Sequence, residues 1–223
     1  MVATYTTTAN VRDETQIDYK DLGFQDETQY EDVLDELILY AERIIDNYCK
    51  VPSGFFAAAG VTVTDEYHDH DGSGFFYLHY YPLPTAVTTL SRNSASLTQA
   101  AAWVPLIAGP GVGSDYIAYP DYRDHGKIYI YNRAPPAGFR NIKCTYKAGY
   151  ATTPKDVTQI CNEIVANIVR GILKRRLTPQ DVSQIVIAGG DIQAVFAEGM
   201  KLNTAQKSLL DTYMISEARG RRG

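Results

Sequence analysis

The chain has 223 residues, 45% of them hydrophobic and 21% charged, with a net charge of −5, a composition that suits a soluble globular protein with one core, or one core and an insert. No apolar run approaches the roughly 20 residues needed to span a bilayer, and Met1 to Asn10 lacks the basic and apolar regions of a secretory signal. Three cysteines at positions 49, 144 and 161, without any Cys-x-x-Cys pair, speak against a disulfide framework or a zinc knuckle.

Charge is unevenly spread. Residues 1–50 carry four Lys and Arg against twelve acids, whereas residues 174–223 carry eight against five. One end is acidic and the other basic, which bears on partners and on stacked assembly rather than on fold.

Residues 1–27 are polar, Thr-rich and without period, the pattern of an arm. Thr28-x-x-Glu31 fits a capping box that opens a helix. Its apolar face is Tyr30, Val33, Leu34, Leu37, Ile38, Ala41, Ile44, Ile45 and Tyr48, and Pro52 stops it. From about 55 to 150 the period changes to two. Short strands are expected at 61–67, 75–81, 86–90, 103–107, 116–119, 126–131 and 141–146, separated by turn residues. Seven such strands imply an inserted antiparallel sandwich or barrel-like domain.

Gly149 then turns the chain into a second long helix. Thr153 reads as its N-cap and Pro154 as its first residue, with Asp156 in the first turn. Val157, Ile160, Cys161, Ile164, Val165, Ile168, Val169, Ile172 and Leu173 make one apolar stripe, so Cys161, like Cys144 in its strand, reads as a small buried apolar group. Lys174-Arg175-Arg176 offset the dipole at its end. After Thr178-Pro179, residues 182–187 and 192–196 read as a hairpin or extended loop around Gly189-Gly190-Asp191. Asn203 or Thr204 caps a last helix with Leu209, Leu210, Tyr213 and Met214 inward, and the chain closes on Arg219-Gly-Arg-Arg-Gly223. The expected fold is α+β: a helical core at 28–54 and 151–218, a β-insert at 55–150, and a basic tail at 219–223.

Several segments in this order resemble the head–tail connector (adaptor, or head-completion) proteins of tailed bacteriophages, in the branch with a β-domain inside the helical core. They are Ala41-Glu42-x-x-Ile45-Asp46-x-Tyr48-Cys49, Tyr80-Tyr-Pro-Leu83, Tyr146-Lys-Ala-Gly-Tyr150, Pro154-x-Asp156-Val157, the Gly-Gly-Asp loop and Leu209-Leu210-x-x-Tyr213, spanning roughly residues 28 to 216. The resemblance implies a structural virion protein, with neither catalysis nor cofactor. Such a protein forms a ring with copies of itself, a dodecamer in most members, beneath the portal at the virion neck after synthesis in the host cytoplasm. Its other partners are the portal protein and a tail terminator, stopper or tail-tube protein, and DNA passes through without specific binding. It further implies that Tyr213, Met214, Arg219, Arg221 and Arg222 engage the portal, and that Gln184, Gly189, Gly190 and Asp191 lie at a ring contact or in a channel loop. A net-negative chain without a basic–aromatic patch suits a conduit that must let phosphates slide, and seventeen tyrosines suit extensive interfaces.

A competing reading, a metal-dependent hydrolase or ligand-binding β-domain, rests on His68-Asp69-His70-Asp71. Alternate strand residues share a face, so His68 and His70 could ligate a metal with Asp71; the plainer reading is a polar strand end running into the Asp71-Gly-Ser-Gly74 turn. His79 and His125 stand alone in sequence. Gly109-Pro-Gly-Val-Gly113 lacks the Gly-Lys-Ser/Thr ending of a phosphate loop, and no Gly-x-Ser-x-Gly elbow is present. A third reading is a β-sandwich binding module carried on helices.

Overall fold

The computed structural model describes residues 4–94, 102–110, 112–118, 125–175 and 202–214. The chain divides into two units, a helical one formed by Met1–Ala58 and Thr153–Met214 and a β-unit formed by Ala59–Thr152. The class is α+β, as expected.

In the helical unit, α1 (Thr8–Thr15) is capped by the Thr7 side chain, which accepts from Asn10 N–H. The next helix, α2 (Glu27–Cys49), begins at an Asp26 cap that accepts from Gln29 N–H, so the expected Thr28 box is not the one used. An aspartate two residues earlier offers the same oxygen to the same turn. At the other end α2 leaves through left-handed Lys50, with Val51 N–H returning to the Asp46 carbonyl, a Schellman closure that precedes Pro52. The third helix, α3 (Lys155–Arg175), starts one residue later than expected; the Pro154 carbonyl accepts its first helical bond, from Thr158 N–H.

The two apolar stripes pack on each other. Leu34, Ile38, Ala41 and Ile45 of α2 and Val157, Ile160, Cys161, Val165 and Val169 of α3 are buried, and each large aliphatic side chain so placed contributes about 1.5–3 kcal/mol. Leu173 falls at the edge of the stripe and is exposed. The expected N-terminal arm is corrected: α1 packs on α2 and α3, and Tyr5, Val11, Leu22 and Phe24 are buried there. These are single anchors at irregular spacing, so no period betrayed them. The short α4 (Thr204–Leu210) carries a full capping box between Asn203 and Gln206. Only Leu210 of its expected inward residues is fully buried; Leu209 and Met214 are exposed, because seven helical residues and a 3-10 turn at Asp211–Tyr213 cover too narrow a face.

Among the described residues the β-unit holds a strand at or near each of the seven expected places, although β2 stops at Tyr77 rather than Tyr81 and β3 starts at Thr89 rather than Ala86. They are β1 (Val61–His70), β2 (Phe75–Tyr77), β3 (Thr89–Asn93), β4 (Trp103–Pro105), β5 (Tyr116–Ala118), β6 (Lys127–Ile130) and β7 (Gly138–Ala148). They form two small antiparallel sheets, ordered β1-β7-β3-β4 and β2-β6-β5. Neither order closes on itself, so a barrel is not formed among the described residues. Leu90, Ile128, Ile130, Ile142, Cys144 and Tyr146 supply the buried face. No helix among the described residues is long and apolar enough to cross a membrane.

Candidate metal centre

The phase of β1 decides which of its polar residues turn inward. Val61 and Val63 are half-buried and pair with Ala148 and Tyr146 of β7. Then the register slips between Val63 and Glu66, with Asp65 at φ +53. That bulge shifts the alternation by one residue. Beyond it Glu66, His68 and His70 are buried, whereas an unbroken strand would have turned Asp65, Tyr67 and Asp69 inward.

Glu66 lies where three elements meet. Its Oε2 accepts from the Tyr146 hydroxyl of β7 at 2.6 Å. Its Oε1 accepts from the His79 backbone N–H at 3.1 Å, just past the end of β2. Two imidazoles converge on that same oxygen, His68 Nε2 at 2.5 Å and His79 Nδ1 at 3.3 Å. The rings of His68 and His79 stack with centroids 4.9 Å apart, and Phe76 closes the other side of His68 at 4.8 Å. The His68 and Glu66 side chains are 7% and 6% exposed, while that of His79 is 63% exposed. His68 Nε2, for all its closeness to Glu66, is not aligned as a hydrogen bond and has no other partner.

Burial would push the Glu66 carboxyl up, but His68, His79 and Tyr146 together hold it well below the usual carboxylate range. The same contact with Glu66 raises the His79 imidazole against its own partial burial. Burial and the Glu66 charge push the Tyr146 hydroxyl up, so Tyr146 stays a donor. The result is an anionic oxygen flanked by two imidazole nitrogens, with an exposed ring on one side. Among the described residues, Glu66, His68 and His79 offer three ligand atoms within 4.8 Å of one another.

The residues singled out from sequence fall differently. His68 belongs to the cluster, but His70 and Asp71 do not join it. A second register slip follows His68. His70 Nδ1 accepts from Gly72 N–H, and Asp71 is an exposed turn acid that accepts from Ser73 N–H. Both serve the turn into β2. Burial lowers the His70 imidazole, opposing the pull of Asp71. Sequence reasoning missed Glu66 and His79; alternation alone cannot predict the bulge, and His79 lies thirteen residues from Glu66 across a turn. Just after the glycine-rich 109–113 stretch, Asp115 is buried, accepts from Ile107 N–H and pairs with Arg133.

Elsewhere, Tyr213 is engaged within the helical unit: its ring lies edge-on to Phe56 at 5.6 Å and its hydroxyl donates to Asp156 at 3.1 Å. Met214 is 37% exposed. Gln184, Gly189, Gly190, Asp191, Arg219, Arg221 and Arg222 lie outside the described residues, as does the expected hairpin at 182–196. All three cysteines are free and buried; burial raises each thiol, Cys49 to about 12, so none is a ready nucleophile. Comparison with models of known protein families and with curated proteins finds no match.

Proposed function

We propose that this chain is the subunit of a ring that joins a phage capsid portal to the tail and extends the DNA channel. The observation that carries the reading is architectural. A β-unit is set into a helical unit between α2 and α3, leaving at Ala58 and returning at Thr153. The segments that bear the resemblance are also bonded to one another. Tyr80 N–H donates to the Tyr146 hydroxyl at 3.2 Å, and Gly149 N–H donates to the Pro82 carbonyl at 2.7 Å. In the helical unit, Tyr48 donates to Asp211 at 2.7 Å, and Cys49 Sγ lies 3.9 Å from the Leu210 carbonyl. Short motifs scattered along the sequence thus become two contiguous patches.

A heterologous ring needs two different patches on each subunit. One is offered by α2, where Asp32, Asp35, Glu36, Leu39 and Tyr40 are exposed on neighbouring turns. The complementary patch falls to the 182–196 segment with Gln184, Gly189, Gly190 and Asp191. The C-terminal arginines and Met214 then face an acidic portal groove, and Arg–carboxylate forks would offset the entropy of ordering the tail.

Co-expression with a portal protein from the same genome, followed by imaging of the purified particles, tests this. A closed ring beneath the portal with α2 at the subunit contacts is expected. Removal of 217–223 should weaken portal attachment in a salt-dependent way. A single subunit in intact particles, or contacts made by the β-unit alone, would overturn the reading. Normal head completion by the truncated chain would move the portal contact elsewhere.

A further inference from the structure

We propose that Glu66, His68 and His79 bind one divalent transition-metal ion, zinc by the character of the donors, and that this ion staples the two small sheets of the β-unit together. Glu66 and His68 stand on β1, in the four-stranded sheet, while His79 lies just past the end of β2, a strand of the three-stranded one. A metal held by all three therefore ties one sheet to the other. Two such small sheets, with a seven-strand inventory of mostly three- to five-residue strands, are the kind of scaffold that gains from a metal link.

The arrangement around Glu66 favours a cation over a simple ion pair. Oε1 already accepts the His79 backbone N–H, and Oε2 is taken by Tyr146. His68 Nε2 and His79 Nδ1 both face the same carboxylate oxygen. His68 Nε2 is buried without an aligned hydrogen bond, a costly state for a polar atom. One cation satisfies all three atoms at once.

Donor chemistry and geometry narrow the choice. Two imidazoles and a carboxylate suit zinc and its neighbours, whereas magnesium and calcium prefer all-oxygen shells. Zinc–ligand bonds of about 2.0–2.2 Å at tetrahedral angles put ligand atoms about 3.3–3.5 Å apart. His79 Nδ1 to Glu66 Oε1 is already 3.3 Å; His68 Nε2 to Oε1, at 2.5 Å, must open by about 1 Å. The exposed His79 ring gives the ion a route in, and three protein donors leave a fourth position for water. Tyr146, hydrogen-bonded to the far oxygen of Glu66, holds the carboxylate in place from outside the ligand set.

The test uses the full chain stripped with a chelator, titrated with zinc by calorimetry and followed by thermal denaturation, with cobalt as an optical probe. One zinc per chain, a higher melting temperature for the β-unit, and an intense tetrahedral cobalt spectrum are expected. Magnesium and calcium should give no shift. His79→Ala, at an exposed position where folding can be checked by circular dichroism, should abolish the uptake, and Asp71→Ala should retain it. Tyr146→Phe should weaken zinc about 10- to 100-fold while leaving one equivalent bound, the signature of a positioning residue. No uptake by the unaltered chain at millimolar zinc, full uptake by His79→Ala, or a weak octahedral cobalt spectrum would each overturn the proposal. None of these readouts depends on ring assembly.

Discussion

Tyr5 joins four segments through one side chain and its own backbone. Its N–H donates to Glu42 Oε1 at 2.6 Å, its hydroxyl donates to Asp46 and accepts from Phe56 N–H, and its carbonyl accepts from Thr158 of α3 at 3.0 Å. Glu42 and Asp46 lie one turn apart among the apolar residues of α2 and are buried with it. Burial, only partly opposed by the bonds from Tyr5 and Gly54, raises the Asp46 carboxyl to about 6, and burial raises Glu42 as well. A raised acid keeps its proton in the folded state where the unfolded chain, at the ordinary 3.8, has lost it. Stability from this group is therefore complete below about pH 4 and falls as pH rises through about 6, by up to about 3 kcal/mol. Urea unfolding of Asp46→Asn beside the unaltered chain should show the substitution flattening that fall; parallel curves from pH 4 to 7 would refute it. Tyr5→Phe, which strips both Asp46 and Phe56 N–H of a partner, should cost about 1–3 kcal/mol. The network was not legible beforehand: Glu42 and Asp46 stood in a segment that bore the resemblance, but nothing in their spacing gave them a partner, and nothing in residues 1–27 marked Tyr5 as an anchor.

At the scale of elements, periodicity was readable and local irregularity was not. The α3 stripe from Val157 to Ile172 is buried as its spacing required, and all seven strands stand near their expected places. The bulge at Thr64–Asp65 has no sequence mark, yet it carries Glu66 and His68 to the inner face; the metal-capable cluster was invisible for that reason. Gly60 is a position where the chain's choice can be tested. It has φ +63, and an added Cβ would lie 2.2 Å from the Ala148 carbonyl oxygen, where β1 begins to pair with the end of β7. Gly60→Ala should therefore destabilise the β-unit by more than about 1 kcal/mol, with amide exchange quickened first at Val61 to Val63. Gly72→Ala is the control: its φ is +90, but nothing lies within 4 Å of its Cβ site. It should cost only the backbone strain. If the two melt alike, close approach to Ala148 is not what requires glycine at 60.

For the whole molecule, the change of period from 3.6 to 2 and back marked the insertion, because each periodicity answers to a different buried face. What it left out was the N-terminal segment, whose helix is short and whose apolar anchors are solitary. The structure gives the insertion a sharp base: Ala59 N–H donates to the Ala151 carbonyl at 3.3 Å, so the outgoing and returning chains are adjacent where they cross between units. Residues 60–150 should then be replaceable by a linker of about four residues, within the usual range for helix–helix connections. The shortened chain keeps the α2–α3 stripe, α1 and the Tyr5 network intact. It should retain helical circular dichroism and unfold in one cooperative step. If ring contacts are made by α2 and the 182–196 segment, the same chain should still form rings on the portal, although it would lose all zinc uptake. A shortened chain that folds cooperatively yet stays monomeric beside the portal would assign the ring contacts to the β-unit. One that fails to fold would show that the helical unit depends on its insert.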